Sequence, residues 1–486
     1  PKRAQPLHPL ETVLLCMAGA QLVFLPWALG GMRPWAQIPS FALAALAFLV
    51  ALLPRTYSED LTGGSRVRLY PAARLLRFPF FWLGLVYFAI VAIQIANPAW
   101  VYVEKNGAWW MEPLDFIEWL PRGVADTPFR MMNAGRTLLI HGAVWLLVCG
   151  LWVGLTRRKS ARVLLLTIAL NGFALAVVAV FQRLTGTKLM LWHWTPPAEY
   201  FVASFVYKNH AGAFFLLILA LVAGFAWWHA DRAREQLKKS HPGPVFALLT
   251  CLVAFALLLT YARATTALGL LALLVFGLGY LVHQSFASRG GSPPLLNVAV
   301  AVLMAGFLGV CLYLINTDRA WQRFDRLFKQ DRYTSITFRQ LAARATWDMA
   351  LDSPAVGHGG GSFRFLFPRY QQAYPDIYMQ KAWVNKKQVD RRVYWEHAHN
   401  DWVEFLAEFG LVGAGWLLAG FAVVVVAIRR SRAFVQRSRA VMLTGPLLVA
   451  IAAAADFPFH NPAVLTTAAA IVALTLRWSF LERRSA

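Results

Sequence analysis

The sequence predicts an all-α polytopic membrane protein with about twelve transmembrane helices. Hydrophobic residues make up 58% of the 486 residues and charged residues only 15%, which is too apolar for an ordinary soluble protein. Stretches of roughly 20 apolar residues, the length that crosses a hydrocarbon core about 30 Å thick, recur along the whole chain. Strongly basic connections lie between alternate pairs of these stretches, as expected when loops alternate between the two sides of a membrane.

The apolar stretches define the predicted spans in order. They cover residues 10–29, 37–53, 78–97, 137–156, 163–181, 211–229, 244–261, 264–283, 295–315, 401–428, 440–455 and 463–480. About half of the 47 Lys and Arg residues fall in the short basic connections and at the two ends of the chain, which the positive-inside rule assigns to the cytoplasm. We therefore expect a multi-pass membrane protein with both termini cytoplasmic, and in a Gram-negative cell the opposite loops would be periplasmic.

The longest connection divides the chain into three parts. Residues 1–315 hold the first nine predicted spans, residues 316–400 form a large periplasmic loop, and residues 401–486 hold the last three spans. The loop carries 14 Lys and Arg residues against 8 acidic residues. A basic surface that faces away from the cytoplasm predicts an anionic substrate from the outer leaflet, such as a lipid-linked phosphate or diphosphate. No compact basic domain remains for nucleic acid, which is therefore not expected as a partner.

Two segments indicate that the large loop is ordered. The stretch TSITFRQLAARATWDMALDSP at 334–354 predicts a helix, because Phe338, Leu341, Ala345 and Met349 recur on one face. The stretch GHGGGSFRFLFPRY follows at 357–370. Its glycines allow the backbone to approach a ligand or the membrane surface closely, or they form no more than a flexible turn.

A polar segment with two histidines leads directly into the tenth predicted span, in EHAHNDWVEFLAEFGLVG at 396–413. Asp401, Glu404 and Glu408 are spaced to share one face of this helix. Acidic residues inside a membrane helix are costly, so this face is expected to point into the protein. His399 precedes the helix and is the candidate catalytic residue, with a role at the membrane interface as the alternative.

Several stretches together resemble the O-antigen ligase and O-antigen polymerase superfamily of bacterial membrane glycosyltransferases. His399-Asn400, nine further residues and then Gly410-x-x-Gly413-x-Gly415 are similar to its signature at the end of a large periplasmic loop. The other matching stretches, in chain order, are SFVYKNHAG at 204–212, TYARATTALG at 260–269, FRQLAARATWDMALDSPAVGHGGGSF at 338–363 and DFPFHNPA at 456–463. The resemblance covers roughly residues 180–465.

This resemblance implies a membrane fold like that of the type C glycosyltransferases and an undecaprenyl diphosphate-linked glycan as donor. It implies that basic residues hold the donor diphosphate and that His399 acts at the acceptor. The implied donor-binding residues are Arg263, Arg339, Arg344, Lys208 and His210, and the implied supporting residues are Asp456 and Asn400.

The residue types suit this chemistry. A sugar C1 bonded to diphosphate already has a good leaving group, so transfer needs charge stabilisation there and a base for the incoming hydroxyl. The arginine fork pairs with phosphate oxygens, and neutral histidine can accept a proton near pH 7. No cofactor is expected, and no metal ion, because the chain lacks a DxD carboxylate pair.

Each candidate also has a plain structural explanation. Arg263 stands between two predicted spans, where an arginine can reach the interface with its charged end while its stem stays in lipid. Arg339 and Arg344 belong to a surface helix that needs charge for solubility, and Lys208 and His210 can simply mark the interface. Asp456 can orient His399 or an arginine, or accept backbone hydrogen bonds before a proline.

The acceptor is left open by the sequence. A ligase transfers the glycan to the lipid A core in lipopolysaccharide maturation, and a polymerase transfers it to a second lipid-linked repeat of a polysaccharide. A protein oligosaccharyltransferase transfers it to a protein side chain. We expect a ligase, with an O-antigen or exopolysaccharide polymerase as the alternative. A flippase for the same lipid would more typically show internal repeats and polar groups at mid-membrane, and the polar residues here cluster at the outer edge.

Overall fold

The protein is all-α and polytopic, and the computed structural model describes its helices together with the segments that connect them. The described residues are 7–57, 67–196, 201–236, 240–286, 306, 335–384 and 387–483. Within them, nine helices are long and apolar enough to cross a membrane. They are α1 (Pro9–Trp27), α2 (Pro34–Leu52), α4 (Pro79–Ala96), α5 (Ala134–Gly154), α6 (Arg158–Thr185), α7 (Lys208–Glu235), α9 (Arg263–Phe286), α13 (Asp401–Ser431) and α15 (Pro462–Arg483).

Two further predicted spans correspond to shorter helices. Residues 244–261 are represented by α8 (Gly243–Leu259) and residues 440–455 by α14 (Arg437–Ala452). The predicted span 295–315 lies outside the described residues. The remaining helices are short or belong to the large loop, and they are α3 (Pro71–Leu76), α10 (Ser335–Asp352), α11 (Phe363–Gln371) and α12 (Pro375–Tyr378).

Short strands complete the fold, although the sequence analysis predicted none. β1 (Arg55–Tyr57) pairs with β2 (Val67–Leu69), and β6 (Met379–Val384) pairs with β7 (Lys387–Arg392), both antiparallel. β3 (Pro98–Lys105) pairs antiparallel with β4 (Ala108–Pro113) and parallel with β5 (Gly123–Ala125).

The β3–β4 hairpin could have been recognised in the sequence. Asn106 and Gly107, at φ +55° and +76°, form its two-residue turn. An Asn-Gly pair is the residue choice that such a turn favours.

The largest apolar core lies within the helical bundle, and α7 is its most deeply buried member. Its side chains from Ala211 to Trp227 are all buried, and α8 and α14 pack against it. A helix that is apolar on every side suits either lipid or a protein core, and here neighbouring helices cover it. The beginning of α7 is therefore held firmly at one end of the bundle.

A second apolar core fills the loop subdomain, which we define as β3–β5 together with residues 335–400. Ala345 and Met349 of α10 are completely buried in it, and Phe338 and Leu341 pack at its edge. The predicted apolar face of this helix is therefore confirmed, and the helix ends at Asp352 as predicted. Trp100 and Met111 of the β3–β4 hairpin pack on the same core.

The loop subdomain is joined to α13 where that helix is interrupted. Gly410 has φ +60° and ψ −159°, which breaks the helical hydrogen-bond pattern. The backbone N–H groups of His358 and Gly359 donate to the carbonyls of Ala407 and Glu408, at 3.0 and 2.8 Å. Beyond the break, the N–H of Leu411 and Val412 donate to the carbonyls of Pro354 and Ala355, at 2.8 and 3.1 Å. The backbone groups freed by the break are thus satisfied by the loop, as a helix interrupted at membrane depth requires.

The glycines of residues 357–361 serve this contact. A Cβ on Gly357 would lie 2.4 Å from the carbonyl of Glu408, and one on Gly359 would lie 2.7 Å from the carbonyl oxygen of Arg122. The close approach that their sequence predicted is made to other backbone segments of the protein. Of the three glycines in the motif, Gly410 approaches the backbone of Ala355 and Gly357, whereas a Cβ on Gly413 would meet Phe405 and Phe409 of α13 itself and one on Gly415 would meet open space.

Replacing Gly357 by alanine is expected to destabilise the protein, because its φ of +71° is strained for alanine and the new Cβ would meet the backbone of α13. We expect a loss of about 1 to 3 kcal/mol, measured as a lower thermal unfolding midpoint in detergent. Gly415→Ala is the matched control and should leave the midpoint unchanged or slightly higher, because alanine favours the helix. Equal midpoints for both variants would contradict this account of the loop.

Candidate active site

The site is built around the carboxylate of Asp456, which follows α14 and is buried. Its Oδ1 accepts a hydrogen bond from the backbone N–H of Phe457 at 2.9 Å and lies 3.3 Å from Nδ1 of His399. Its Oδ2 accepts from Nη1 of Arg339 at 3.4 Å and from the amide of Asn209. One carboxylate therefore joins the beginnings of α7, α10 and α13.

These partners keep the carboxylate charged. Burial alone would raise the pKa of Asp456, because a low-dielectric environment disfavours the anion. The hydrogen bond with His399 and the positive charge of Arg339 outweigh burial and hold the pKa of Asp456 below its usual value. Asp456 is therefore an anion at neutral pH and can orient both partners.

His399 is presented by an unusual backbone conformation. Its φ of +56° lies in the left-handed region, which non-glycine residues seldom adopt, and the following Asn400 begins α13 as its N-cap. The Asn400 side chain accepts from the N–H groups of Trp402 and Val403 at 3.1 and 3.2 Å. Because the Asp456 carboxylate can only accept, the His399 Nδ1 carries the proton and its Nε2 keeps a lone pair.

Arg339 lies in the first turns of α10 and points towards the same carboxylate. Its Nη1 also donates to the carbonyl of Ala455 at 3.0 Å, and its Nη2 donates to the hydroxyl of Tyr207 at 3.1 Å. The side chain is 34% exposed. Three of its five N–H groups have partners among the described residues, so part of the guanidinium remains able to bind an anion.

Two residues of the site were missed by the sequence analysis. Tyr207 lies just before α7, with its ring stacked on Phe457 at 5.2 Å and 12°, and Asn209 donates to the Tyr207 hydroxyl at 2.7 Å. Both belong to the YKNHAG stretch, in which the predicted site residues were Lys208 and His210. The available signal was the two-residue spacing of Tyr207 and Asn209, which places Tyr207 on the extended segment before α7 and Asn209 in its first turn.

The other predicted residues of this stretch have different surroundings. His210 is buried, with Nε2 3.3 Å from the carbonyl of Phe457 and Nδ1 3.5 Å from the amide of Asn461. Both ring nitrogens are thus engaged in packing beneath the site. Lys208 begins α7 and is partly exposed at the same end of the bundle.

The remaining predicted arginines lie around the cluster. Arg263 is exposed at the start of α9, and a Cβ on Gly212 of α7 would meet Ala262 and Thr265, so the two helices begin side by side. Arg344 is exposed five residues after Arg339 and so lies about 140° further around α10. The structure does not bring Arg344 to the Asp456 carboxylate.

A second set of ionisable groups, the Glu404 network, lies on the other side of the Phe457 ring. We define it as His397, Asp401, Glu404 and His460. Glu404 Oε1 lies 2.9 Å from His397 Nδ1 and 3.1 Å from His460 Nε2, while Asp401 Oδ1 lies 2.6 Å from His460 Nδ1. The acidic face predicted for α13 is thus buried and partnered within the protein.

The Glu404 network could also present ligands to a cation. The ligand atoms of His397, Glu404 and His460 lie within 4.8 Å of one another. His460 uses both ring nitrogens, one for Asp401 and one for Glu404, so it would have to give up one of these contacts to bind a metal ion. His397 contacts Glu404 through Nδ1.

His460 is the positively charged member of the network. Burial would lower the pKa of His460, but Glu404 and Asp401 on its two sides outweigh burial and raise it well above its usual value. The pKa of His397 shifts in the opposite direction, because burial and the charge of His460 lower it. His460 is thus a buried cation between two carboxylates, and His397 is neutral at pH 7.

A cavity of about 110 Å³ lies elsewhere in the loop subdomain, away from Asp456. Its charged or aromatic lining includes Trp100, Arg122, His358, Arg369 and Tyr370. None of the side chains around Asp456 lines this cavity. The His399, Asp456 and Arg339 cluster is therefore separate from this cavity.

The fold and this cluster define a polytopic membrane protein with a His–Asp–Arg site at the end of its helices. Residues 245–418, about a third of the chain, match the family model for O-antigen ligase. No curated protein matches the chain. The match includes Arg339 and His399 but ends before Asp456, and it supports the resemblance to the O-antigen ligase and polymerase superfamily found in the sequence. It also supports an activity of the ligase or polymerase type in general.

The charge on His460 predicts a pH-dependent stability. Its folded pKa lies above the unfolded value of about 6.5, so its stabilising contribution is complete below that pH. The contribution is lost as the pH rises through the folded pKa. His460→Phe leaves two buried carboxylates without their cation and should cost about 3 kcal/mol at pH 6.

Thermal unfolding midpoints of the wild type and His460→Phe, measured from pH 6 to pH 10, test this charge assignment. The difference between them should be largest at pH 6 and shrink in alkaline buffer. A difference that stayed constant or grew with pH would show that His460 is neutral in the folded protein.

Proposed function

We propose that the protein is an inner-membrane glycosyltransferase that uses an undecaprenyl diphosphate-linked glycan as donor and a sugar hydroxyl as acceptor on the periplasmic face. We further propose that it is an O-antigen ligase, whose acceptor is the lipid A core. The observation that carries the proposal is the pairing of His399 and Arg339 on the two oxygens of one carboxylate. The description of the matched family as O-antigen ligase favours the ligase over the polymerase.

His399 acts as the general base in this proposal. Asp456 holds its Nδ1–H, so the Nε2 lone pair can take the proton of an acceptor hydroxyl. The hydroxyl oxygen then forms a bond to the donor sugar C1 as the bond from C1 to the phosphate oxygen breaks. Asp456 stabilises the imidazolium that results, which is the role a carboxylate has in other base-orienting pairs.

Arg339 stabilises the leaving diphosphate. The electron pair of the broken bond remains on the undecaprenyl diphosphate, and a guanidinium favours that developing charge. Arg263 and Lys208 begin neighbouring helices at the same end of the bundle and extend the cationic surface for the donor. We propose that the reacting centre uses no metal ion, since arginine supplies the charge stabilisation.

Orientation follows from the same proposal. The site end of the bundle faces the periplasm, where both lipid-linked glycans and the lipid A core would be available. The basic connections at the opposite end, and both termini, are then cytoplasmic, in agreement with the positive-inside rule.

Replacing His399 by alanine should lower transfer by about 10²- to 10⁴-fold, because general-base catalysis contributes that much. The assay uses purified protein in detergent with EDTA, undecaprenyl diphosphate-linked glycan, and either lipid A core or a second lipid-linked repeat as acceptor. Product on the core would support the ligase, and a ladder of lengthened lipid-linked chains would show a polymerase. Dependence of the wild-type rate on added divalent metal would overturn the metal-free proposal, and full activity of His399→Ala would overturn the assignment of the base.

Arg339 and Arg344 form a matched pair on one helix. Arg339→Ala should lower kcat/KM for the lipid-linked donor by about 10²-fold, the effect of losing one stabilising donor at a developing anion. Arg344→Ala carries the same loss of charge on a different face and should change kcat/KM less than threefold. Steady-state kinetics at varied donor concentration give both values. Equal losses would indicate that only the net charge of α10 matters.

A further inference from the structure

The hydroxyl of Tyr207 has an arrangement that the proposed function does not yet explain. Its oxygen accepts a hydrogen bond from Nη2 of Arg339 at 3.1 Å and another from Nδ2 of Asn209 at 2.7 Å. Arginine can only donate, so the direction of the first hydrogen bond is certain.

The direction of the second hydrogen bond is fixed by Asp456. The same Asn209 nitrogen lies in close contact with the Asp456 carboxylate, which can only accept while it is ionised. The end of the Asn209 amide that faces both Tyr207 and Asp456 is therefore its NH₂ group. Two donors thus occupy both acceptor positions of the Tyr207 oxygen.

The phenolic proton must then point elsewhere. No acceptor for it is present among the residues that the structure describes. The hydroxyl remains protonated at neutral pH, because burial and the nearby Asp456 raise the pKa of Tyr207. Tyr207 is partly buried, and the Arg339 side chain that donates to its hydroxyl is 34% exposed.

The surroundings identify the missing acceptor as an anion. Arg339 donates to the phenolic oxygen and strengthens it as a donor, since a hydrogen bond received from a cation polarises the O–H group. The Tyr207 ring centroid lies 6.4 Å from that of His399, so the hydroxyl stands beside the base. Stacking on Phe457 fixes the direction of the phenol.

We infer that Tyr207 is a direct ligand of the donor, and that its hydroxyl donates a hydrogen bond to a phosphate oxygen of the lipid diphosphate beside Arg339. This inference rests on the proposed function. It makes Tyr207 a catalytic residue that binds the leaving group. It makes Asn209 a positioning residue that orients the phenol by a direct hydrogen bond, while Asp456 orients the Asn209 amide. A phenol and a guanidinium held together in advance form a donor pair for the charge that develops as the diphosphate departs.

Tyr207→Phe removes the hydroxyl and keeps the ring that stacks on Phe457. The dissociation constant for undecaprenyl diphosphate without a sugar, measured by calorimetry in detergent, should rise about 10- to 100-fold, as expected for losing a hydrogen bond to a charged group. The value of kcat/KM for the glycan donor should fall by a similar factor. Tyr374→Phe is the matched control, because the Tyr374 hydroxyl donates to Asp348 on the exposed side of the loop subdomain.

A fluorinated tyrosine at position 207 separates direct donation from a structural role. Fluorine makes the phenol a stronger donor and a weaker acceptor. If Tyr207 donates to phosphate, 3-fluorotyrosine should bind undecaprenyl diphosphate as tightly as tyrosine or more tightly at pH 7. If the hydroxyl serves only to accept from Arg339 and Asn209, the fluorinated protein should resemble Tyr207→Phe, and the inference is overturned.

The same experiments distinguish this inference from the proposed function. A wild-type protein that neither binds undecaprenyl diphosphate nor transfers glycan would overturn both. Binding and transfer by the wild type, with unchanged constants in Tyr207→Phe, would overturn the role of Tyr207 alone.

Discussion

The buried charge of Asp456 is the constraint on which the site depends. A carboxylate held out of water at the end of a helical bundle is unfavourable unless donors surround it. Those donors come from segments far apart in the chain, namely Asn209 in the first turn of α7, Arg339 on α10 and His399 before α13. Because all three donors must reach the Asp456 carboxylate, this carboxylate fixes the positions at which α7, α10 and α13 begin. The requirement that stabilises the fold here is the same one that places a base beside a cation.

The break in α13 is the second constraint, and it couples the loop subdomain to the bundle. Backbone groups released at Gly410 find partners in residues 354–359, where glycines allow the two backbones to meet. Since α13 begins at the site, a loop that holds its break also holds the position of His399. This gives the glycine-rich stretch between α10 and α13 a structural role.

Two histidines close together in the sequence have different surroundings, although both contact the Phe457 ring. His397 stacks on that ring at 4.6 Å and bonds to Glu404, whereas His399 meets it edge-on at 4.8 Å and bonds to Asp456. The charge of His460 offsets part of the negative charge on the Glu404 side. The Asp456 side has a partly exposed arginine and, by our inference, a phenolic proton available to a substrate.

The sequence by itself determined the membrane class, the positions of most spans and the apolar face of α10, because these follow from local composition and helical periodicity. The candidates His399 and Asp456 came from the resemblance of short motifs to a known family. Only the tertiary structure separated Arg339 from Arg344 and brought Tyr207 and Asn209 into the site. It also gave His210 a packing role and showed that the glycine loop repairs a broken helix. These outcomes depend on which helix ends meet, and that is set by burial and by the pairing of charges across 100 to 250 residues of chain. Local patterns carry no information about such distant contacts.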